Sequence, residues 1–445
     1  MTKKQRFILF LALLLTFLII GPIAIFYSQG YRFDFQERKI VQTGGFYFRI
    51  SPKSSEINIS PANNKIIQKT TDFFFGTAFI KNLLPNRYNI EVKKNGYHSW
   101  RKSLEIREGF VTDIKNITLV PENPEFITLK SDVNNFFPLP EKNSLILKIG
   151  NNLNIYDIRT GQERTIFSAN EDIEIIDFNF SQRWNKLILH TDKGYYLIDI
   201  TQSIEPSLIN VPQAAKNLIM HPQNDRKIIF LNENNIFFYD LVTLEIELIL
   251  EEVITYNLWG DSIVWMSPDG FINIGIEEDY RQINRIPLVV DENNNYKIYF
   301  LGPEVMIREN ETFYLLDNQE FVEVFESPFD PILSPDGGKI LNYNNHEIRV
   351  LFLTEVIDQP QRNRGDNVFL TRFSGEINDI YWYTSHYLIF NIDSEIRIIE
   401  IDDRDHINLV NLDVIENSKI YFNFNDKKVY LLRGSDLLVS KRLIP

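Results

Sequence analysis

The sequence predicts an all-β protein: an N-terminal transmembrane helix, a small β-sandwich and then a β-propeller. Three observations support this prediction. Residues 7–27 form an uncharged apolar run, residues 31–120 contain short segments that alternate or run apolar, and residues 124–445 repeat with a period of about 40. Aromatic residues make up 13% of the chain, which suits β structure.

The composition narrows the classes of function. The 445 residues include no cysteine, which excludes disulfides, thiolate metal sites and a cysteine nucleophile. The formal net charge is -14, and an acidic surface repels phosphate backbones, so we expect no nucleic-acid partner. Only six histidines are available for a metal centre, and we expect no metal site and no cofactor.

The N-terminal segment predicts a signal anchor. Lys3, Lys4 and Arg6 form a basic head before the apolar run. A helix over residues 7–27 is about 31 Å long, enough to cross a hydrocarbon core of about 30 Å. The positive-inside rule places residues 1–6 in the cytoplasm and the rest of a single-pass chain outside the cell membrane. The alternative is a cleaved signal peptide, but its apolar core is usually shorter and no Ala-x-Ala site follows.

Residues 31–120 predict a small antiparallel sandwich or barrel. Their apolar and β-branched segments are separated by Pro52, Pro61, Pro85 and Gly96, and no helical pattern intervenes. The predicted strands are residues 45–50, 56–60, 86–94, 99–107 and 113–120.

A motif in the second half of this domain begins at the Leu84-Pro85 turn. It continues through Tyr88, Ile90, Val92, Lys94, Gly96 and Tyr97. This pattern resembles the PEGA family of surface-associated β modules over about a fifth of the chain. The family's name-giving residues are replaced by Pro52-Lys53-Ser54-Ser55, and its Asp-Gly hairpin by a longer stretch around Asn63-Asn64. The resemblance implies adhesion or scaffolding at a cell surface rather than catalysis.

From Glu125 onward, an aliphatic-aromatic-Asp signature recurs before a turn. Asp157, Asp199 and Asp240 are 42 and 41 residues apart, and Asp317 and Asp402 continue the series at about two periods each. We expect the carboxylates of Asp157, Asp199 and Asp240 to accept hydrogen bonds from the backbone of the following turn rather than to bind a ligand. A period near 40 with four short strands per unit predicts propeller blades, which bury both faces of each sheet by stacking around an axis.

A second series, of strand, polar turn and strand, precedes these aspartates. It occupies residues 179–190, 220–231, 333–343 and 423–432. Its clearest turn is Ser334-Pro335-Asp336-Gly337, and the series resembles the Ser-Pro-Asp-Gly-Lys turn of WD40-like and TolB-like propeller repeats. Ser267-Pro268-Asp269-Gly270 has the same letters but falls one hairpin later, so we interpret it as a coincidental turn.

A third series of polar turns predicts the number of blades. Its members are Asn151, Lys193, Asn234, Asp269, Asn310, Asn345, Ser394 and Ser435. We therefore expect eight blades, with seven as the alternative. Residues 418–443 hold only three strands, so we expect the orphan strand 124–130 to complete the last blade and close the ring. The polar run 357–375 is expected to project as a loop between the sixth and seventh blades. A β-solenoid, the rival fold, would instead repeat every 20–30 residues or so.

The sequence contains no recognisable catalytic motif. It lacks Gly-x-Ser-x-Gly, His-Glu-x-x-His, a Walker loop and a dinucleotide-binding fingerprint. His190 and His221 lie in blade hairpins, and His346 and His386 near predicted loops, where ordinary structural or solvated positions explain them. A glycosidase needs two carboxylates about 5–10 Å apart, and the sequence does not locate such a pair.

One aromatic cluster is the candidate site for ligand contacts. Its members are Trp259, Trp265, Tyr381, Trp382 and Tyr383. Exposed aromatic rings near the mouth of a propeller would stack on sugars or clasp a peptide. The alternative is that these large residues fill the space between neighbouring twisted sheets.

These observations together predict a non-catalytic protein of a cell envelope, not an enzyme, and the family resemblance implies a bacterial source. It would present its propeller outside the membrane to a protein or glycan partner. The alternative is an envelope hydrolase or lyase acting on glycan or peptide, which requires carboxylates that converge at one mouth of the ring. A third hypothesis is a sensor that relays ligand binding through the anchor. Residues 1–6 carry no signalling domain, so such a relay would need a partner subunit.

Overall fold

The chain folds almost entirely into β-strands after one N-terminal helix. The computed structural model describes residues 3–34, 37–61, 66–139, 143–169, 173–181, 183, 185–201, 206–276, 279–291, 293–414 and 418–444. The stretch around Asn63-Asn64, where the family hairpin was expected to diverge, lies outside the described residues.

The N-terminal helix α1 spans Lys3–Ser28 and contains the apolar run. None of its residues is buried against the rest of the chain. In the part of the chain that the structure describes, it is the one helix long and apolar enough to span a membrane.

The small domain that follows contains nine strands. These are β1 (Tyr31–Asp34), β2 (Lys39–Gln42), β3 (Gly44–Ser51), β4 (Glu56–Pro61), β5 (Ile67–Thr70), β6 (Thr77–Leu83), β7 (Asn86–Lys94), β8 (Tyr97–Ile106) and β9 (Val111–Thr118). β1 and β2 form a hairpin, and two sheets in the orders β6-β3-β9 and β5-β4-β7-β8 pack around one apolar core.

The sequence located five of these nine strands, namely β3, β4, β7, β8 and β9. It missed four: β6, which has seven residues, and β1, β2 and β5, which have only four residues each, with no buried side chain in β5. The expectation of a purely antiparallel domain was wrong at one pair, because β3 and β9 are parallel. The chain passes through β8 of the other sheet before it returns to β3 as β9. This crossover allows β9 to run in the same direction as β3.

Residues 126–440 form eight four-stranded sheets among the described residues, and we number them in chain order. The strand β10 (Phe126–Lys130) comes before sheet 1 in the chain. Sheet 1 contains β11 (Asn135–Leu139), β12 (Ser144–Ile149), β13 (Asn152–Asp157) and β14 (Glu163–Ser168), and sheet 2 contains β15 (Ile175–Phe180), β16 (Lys186–Thr191), β17 (Gly194–Asp199) and β18 (Ser207–Leu208). Sheet 3 contains β19 (Lys216–Met220), β20 (Lys227–Asn232), β21 (Asn235–Asp240) and β22 (Ile246–Leu250), and sheet 4 contains β23 (Thr255–Trp259), β24 (Ser262–Met266), β25 (Ile272–Ile276) and β26 (Asp279–Gln282). Sheet 5 contains β27 (Tyr296–Leu301), β28 (Glu304–Glu309), β29 (Thr312–Asp317) and β30 (Glu320–Glu326), and sheet 6 contains β31 (Ile332–Leu333), β32 (Lys339–Tyr343), β33 (Glu347–Phe352) and β34 (Asn367–Arg372). Sheet 7 contains β35 (Ile377–Thr384), β36 (Tyr387–Ile392), β37 (Glu395–Glu400) and β38 (Leu409–Val414). Sheet 8 contains β39 (Ser418–Asn423), β40 (Lys428–Arg433) and β41 (Asp436–Ser440), together with β10.

Apolar side chains join each sheet to the next and the eighth to the first. Each of eight core clusters contains residues of two neighbouring sheets. On β16, Leu187 and Leu189 pack toward sheet 1, whereas Ile188 between them packs toward sheet 3. Both faces of such a strand are buried, so its sequence is a continuous apolar run rather than an alternation. The sheets therefore form a closed ring, which is the predicted propeller architecture.

Asparagine side chains on three innermost strands also link neighbouring sheets. Asn179 Nδ2 donates to the Leu218 carbonyl at 3.0 Å, and Asn257 Nδ2 donates to the Ile298 carbonyl at 2.8 Å. Asn217 Nδ2 makes the equivalent bond to the Tyr256 carbonyl at 2.9 Å. Each bond connects the first strand of one sheet to the first strand of the next.

The two ends of the ring meet in sheet 8. Its order is β10-β41-β40-β39, so a strand from before sheet 1 pairs with the last strand of the ring. β10 and β41 are antiparallel, and Phe126 lies opposite Ser440. In a linear array of sheets, β10 and β41 would each lack this neighbour, and the pairing removes both free edges.

The long polar run of sheet 6 lies elsewhere than expected. The prediction of a loop between the sixth and seventh blades was wrong, because residues 353–366 connect β33 to β34 within one sheet and residues 367–372 are β34 itself. This strand was missed because its apolar segment, residues 368–370, is short and has polar residues on both sides.

Candidate functional site

The small domain is fixed to the ring at one junction, formed by β8 and two ring loops. The first loop, residues 401–408, connects β37 to β38 and lies along the free edge of β8. Ser103 N donates to Asp405 Oδ2 at 2.9 Å, and Asn408 Nδ2 donates to the Arg101 carbonyl at 3.0 Å. Side chains of the ring thus satisfy backbone groups that an edge strand would otherwise leave for another chain to pair with.

Lys102 lies at the centre of this junction and is 2% exposed. Its Nζ donates to the carbonyls of Asp402, Arg404 and His406, at 2.7, 2.8 and 2.6 Å. The same atom is 2.8 Å from Glu400 Oε1. A buried ammonium is tolerated only where its charge and its donors are matched, and here both conditions hold.

Glu400 connects Lys102 to a second residue of β8. Its Oε2 accepts a hydrogen bond from Trp100 Nε1 at 2.7 Å, and its Oε1 accepts one from Asn408 N at 2.8 Å. Burial raises the pKa of the Glu400 carboxyl, and the bonds from Lys102 and Trp100 oppose that rise. Two side chains of β8 therefore converge on one ring carboxylate.

The second loop, residues 353–366, reaches the small domain from sheet 6. Lys115 Nζ on β9 lies 2.9 Å from Asp358 Oδ1 of this loop. At the base of the loop, Arg364 forms ion pairs with Glu304 at 2.8 Å and with Asp317 at 3.2 Å. The loop is thus held by ion pairs at its base and near its tip. Together, the two loops contact β8 and β9.

A pocket of about 640 Å³, including its open mouth, lies between the two loops. Trp100, His386, Tyr387 and Arg404 contribute to its walls. Burial lowers the pKa of His386 to about 4, assisted by Lys339 and opposed by Asp336 and Asp402. Burial raises the pKa of Tyr387, whose hydroxyl oxygen accepts a bond from Thr118 N at 3.2 Å. Both side chains are therefore neutral near pH 7.

The five aromatic residues singled out by the sequence do not form one cluster. Trp259 and Trp265 are in sheet 4, whereas Tyr381, Trp382 and Tyr383 are in sheet 7. Trp265 and Trp382 are each 5% exposed, Tyr383 is 0% exposed, and Tyr381 is half-buried against Tyr421. These four fill space between sheets. Trp259 is 37% exposed and stacks on Phe300 at 5.3 Å.

Asp157, Asp199 and Asp240 accept hydrogen bonds from the backbone of the turns that follow them, as expected. Asp157 Oδ1 accepts bonds from Arg159 N and Thr160 N, at 2.9 and 2.8 Å. Asp240 does the same for the turn after β21, and backbone donors lower the pKa of its carboxyl. His221 Nδ1 likewise accepts from two backbone groups of its turn. No group of three or more potential metal ligands occurs within the described ranges.

The junction residues were absent from the sequence prediction. The one available signal was Lys102, which interrupts the inward face of a strand between Trp100 and Leu104. A lysine at such a position requires a buried acceptor, but the acceptors lie about 300 residues away in the sequence. No local pattern connects the two.

Comparison with known proteins adds fold-level likeness only. No protein-family model and no curated protein matches the chain. Solved structures that match include Hsv2 of Kluyveromyces lactis, with 16% identity over 64% of this chain and 99% of that chain at a TM-score of 0.40. The β-propeller domain of Cps50 (Swd1) from Myceliophteria thermophila matches at 13% identity over 71% and 99%, with a TM-score of 0.41. The designed protein Ika8 matches at 13% identity over 70% and 96%, with a TM-score of 0.44. At these scores, the propeller assignment rests on the eight sheets and their contacts.

Proposed function

We propose that this chain is a non-catalytic binding protein of a bacterial cell envelope, anchored by α1 and presenting its ring outside the membrane. The observation that carries the proposal is the junction around Lys102. A flexible linker would leave the ring free to tumble, whereas the buried Lys102–Glu400 pair sets its orientation relative to the small domain and hence to α1. We propose residues 31–120 as a PEGA-like spacer and residues 124–445 as an eight-bladed propeller. The eight sheets and eight apolar clusters favour eight blades over seven.

The position of the junction indicates which face of the ring is available to a partner. In each antiparallel sheet, the first–second and third–fourth connections lie on one face, and the second–third connections lie on the other. Both loops that contact the small domain connect the third strand of a sheet to its fourth strand. The opposite face, which we call the distal face, carries the second–third turns, such as those at Asn151, Asn234 and Asn310.

The distal face favours a protein partner over a glycan. Its turns at Asn151, Asn234 and Asn310 are exposed and polar, and each joins the second and third strands of a four-stranded sheet. Glycan binding relies on exposed aromatic rings, and Trp259, the most exposed of the five aromatic candidates, lies at a first–second turn on the junction face. Four of the five candidates are thus proposed as packing residues, and Trp259 is exposed on the junction face rather than on the face proposed for the partner.

The proposal is tested by site-specific photocrosslinking of the full chain in lipid nanodiscs. A photoreactive residue replaces Asn234 on the distal face or, as a matched control, Thr243 on the junction face; both positions are exposed. Solubilised envelope proteins and isolated wall glycan are offered separately. We expect a saturable protein adduct from position 234 and none from position 243. Adducts from position 243 alone would contradict the proposed face. Shortening of the glycan would contradict the non-catalytic role and favour the hydrolase or lyase alternative.

A further inference from the structure

The hairpin that follows the apolar helix has one inward and one outward face. In the β1–β2 register, Arg32 lies opposite Val41 and Phe33 lies opposite Ile40. Val41 is 2% exposed and faces the small domain, whereas Ile40 is 69% exposed and Phe33 is 48% exposed. An outward-facing aromatic-aliphatic pair with this much exposed surface is unusual on a two-stranded hairpin in water.

The hairpin is held against the last turn of α1. The Tyr31 and Phe26 rings meet edge to face with their centroids 5.5 Å apart. Arg32 Nη1 donates to the Tyr27 carbonyl at 2.8 Å, and the Arg32 guanidinium lies over the Tyr27 ring. Thr43 N, at the end of the hairpin, donates to the Gly30 carbonyl at 2.9 Å. The hairpin therefore starts at the depth where the apolar run ends.

A second exposed aromatic side chain lies beside the base of this hairpin. Phe110, at the turn between β8 and β9, is 66% exposed. Its carbonyl accepts a bond from Gly45 N at 3.1 Å, and the neighbouring Gly109 packs against Gln42 of β2. The turn and the hairpin thus lie on the same side of the small domain, nearest to α1.

The geometry points to a lipid contact. We propose that Phe33, Ile40 and Phe110 lie in the headgroup–acyl boundary of the bilayer that α1 spans, so that the small domain rests on the membrane. This inference rests on the proposed anchoring of the chain by α1.

Two lengths support the proposed lipid contact. The 21 uncharged residues 7–27 match a hydrocarbon core of about 30 Å, which places Tyr27 at its edge. Two residues of strand separate Tyr31 from Phe33, a path of about 7 Å, and each interfacial layer is about 5–7 Å thick. The hairpin therefore remains within the layer in which amphipathic elements bury their apolar faces.

Charge near the hairpin is balanced. Lys39 pairs with Glu37 at 2.6 Å and also lies near Glu108 and Asp34, so three anions match the three cations Arg32, Arg38 and Lys39. Apolar burial rather than attraction to anionic lipid would therefore drive the contact. We expect it to be the same in neutral and in anionic bilayers.

The experiment uses the absence of cysteine from the chain. Single variants Ile40→Cys and Phe110→Cys of the full chain carry a nitroxide label in phosphatidylcholine nanodiscs, and collision with oxygen is compared with collision with a water-soluble nickel complex. Leu15→Cys, within α1, is the control for bilayer depth, and Val289→Cys, at a ring position that is 87% exposed, is the control for water.

We expect the oxygen-to-nickel ratio at positions 40 and 110 to exceed that at position 289 several-fold and to fall below that at position 15. It should be unchanged when phosphatidylglycerol is added. If positions 40 and 110 match position 289 while position 15 is deep, the lipid contact is wrong and the anchor stands. If position 15 itself is accessible to nickel, both the anchor and the contact are wrong. Ile40 and Phe110 are exposed, so the substitutions leave the core intact.

Discussion

Neighbouring sheets of the ring meet through apolar contacts that repeat, whereas the ring meets the small domain through polar contacts that occur once. Leu187, Ile188 and Leu189 show the first kind, since successive residues of one strand pack in opposite directions. Lys102 and Glu400 show the second kind, since each satisfies the charge of the other. The difference teaches that the ring gains its stability from many similar surfaces, while its orientation depends on a few specific partners. The two kinds of contact should therefore fail in different ways.

The largest effect is expected from Lys102→Met. The substitution leaves the Glu400 carboxylate buried without its cation and three loop carbonyls without their donor, which should cost about 3–5 kcal/mol of stability. Urea unfolding of the full chain in micelles measures the loss. Lys93→Met is the matched control, because Lys93 also pairs with a glutamate at 2.6 Å but is 46% exposed. We expect the control to change stability by about 0.5 kcal/mol or less. Equal effects of the two variants would contradict the assigned role of Lys102.

A ring-interface substitution should cost somewhat less and act elsewhere. Leu187→Ala removes a side chain that is 0% exposed in the contact between sheets 1 and 2, at a cost of about 3 kcal/mol. The same urea titration measures this loss. The contacts of Lys102 should persist in this variant, so the distance between the small domain and the ring should not change. A changed distance would show that ring and junction are not separable.

His386 should make the stability of the junction depend on pH. Because burial lowers the pKa of its imidazole to about 4, the folded chain resists a proton that the unfolded chain accepts near pH 6.5. The free energy of unfolding is therefore highest above pH 6.5, and it declines by about 3 kcal/mol as the pH falls to 4. Carboxylates with lowered pKa values, such as Asp336 and Asp402, lose their contribution at lower pH. His386→Gln should flatten the unfolding free energy between pH 6.5 and 4, and an unchanged slope would contradict the assignment.

The smallest effect is expected at the asparagine links of the ring. Asn257→Ala removes the hydrogen bond to the Ile298 carbonyl and a local one from Leu258 N, and it should cost about 1 kcal/mol. Because the link joins two sheets, the loss should appear in the thermal midpoint of the ring while the small domain is unaffected. A midpoint equal to that of the parent would show that solvent replaces this bond without cost.

The sequence predicted the features that repeat and missed those that do not. The turns near Asn151, Asn234 and Asn310 belong to a series that recurs about every 40 residues, so their positions between second and third strands could be predicted from spacing. Asp157 and Asp240 could be assigned to turns for the same reason. The roles of Trp100, Lys102 and Glu400 could not, because a buried ion pair between distant segments has no local signature. Aromatic residues were a poor guide to a site, since the space between twisted sheets demands large side chains whether or not a ligand binds.

The central claim is that the small domain holds the ring in one orientation, and a distance measurement tests it most directly. The chain has no cysteine, so Gln68→Cys in the small domain and Glu323→Cys on the ring, both exposed, accept a pair of spin labels. We predict a single narrow distance distribution for the full chain and a broad one when Lys102→Met is added. A broad distribution in the labelled parent would contradict the claim, because it would show that the ring moves freely with the junction residues intact.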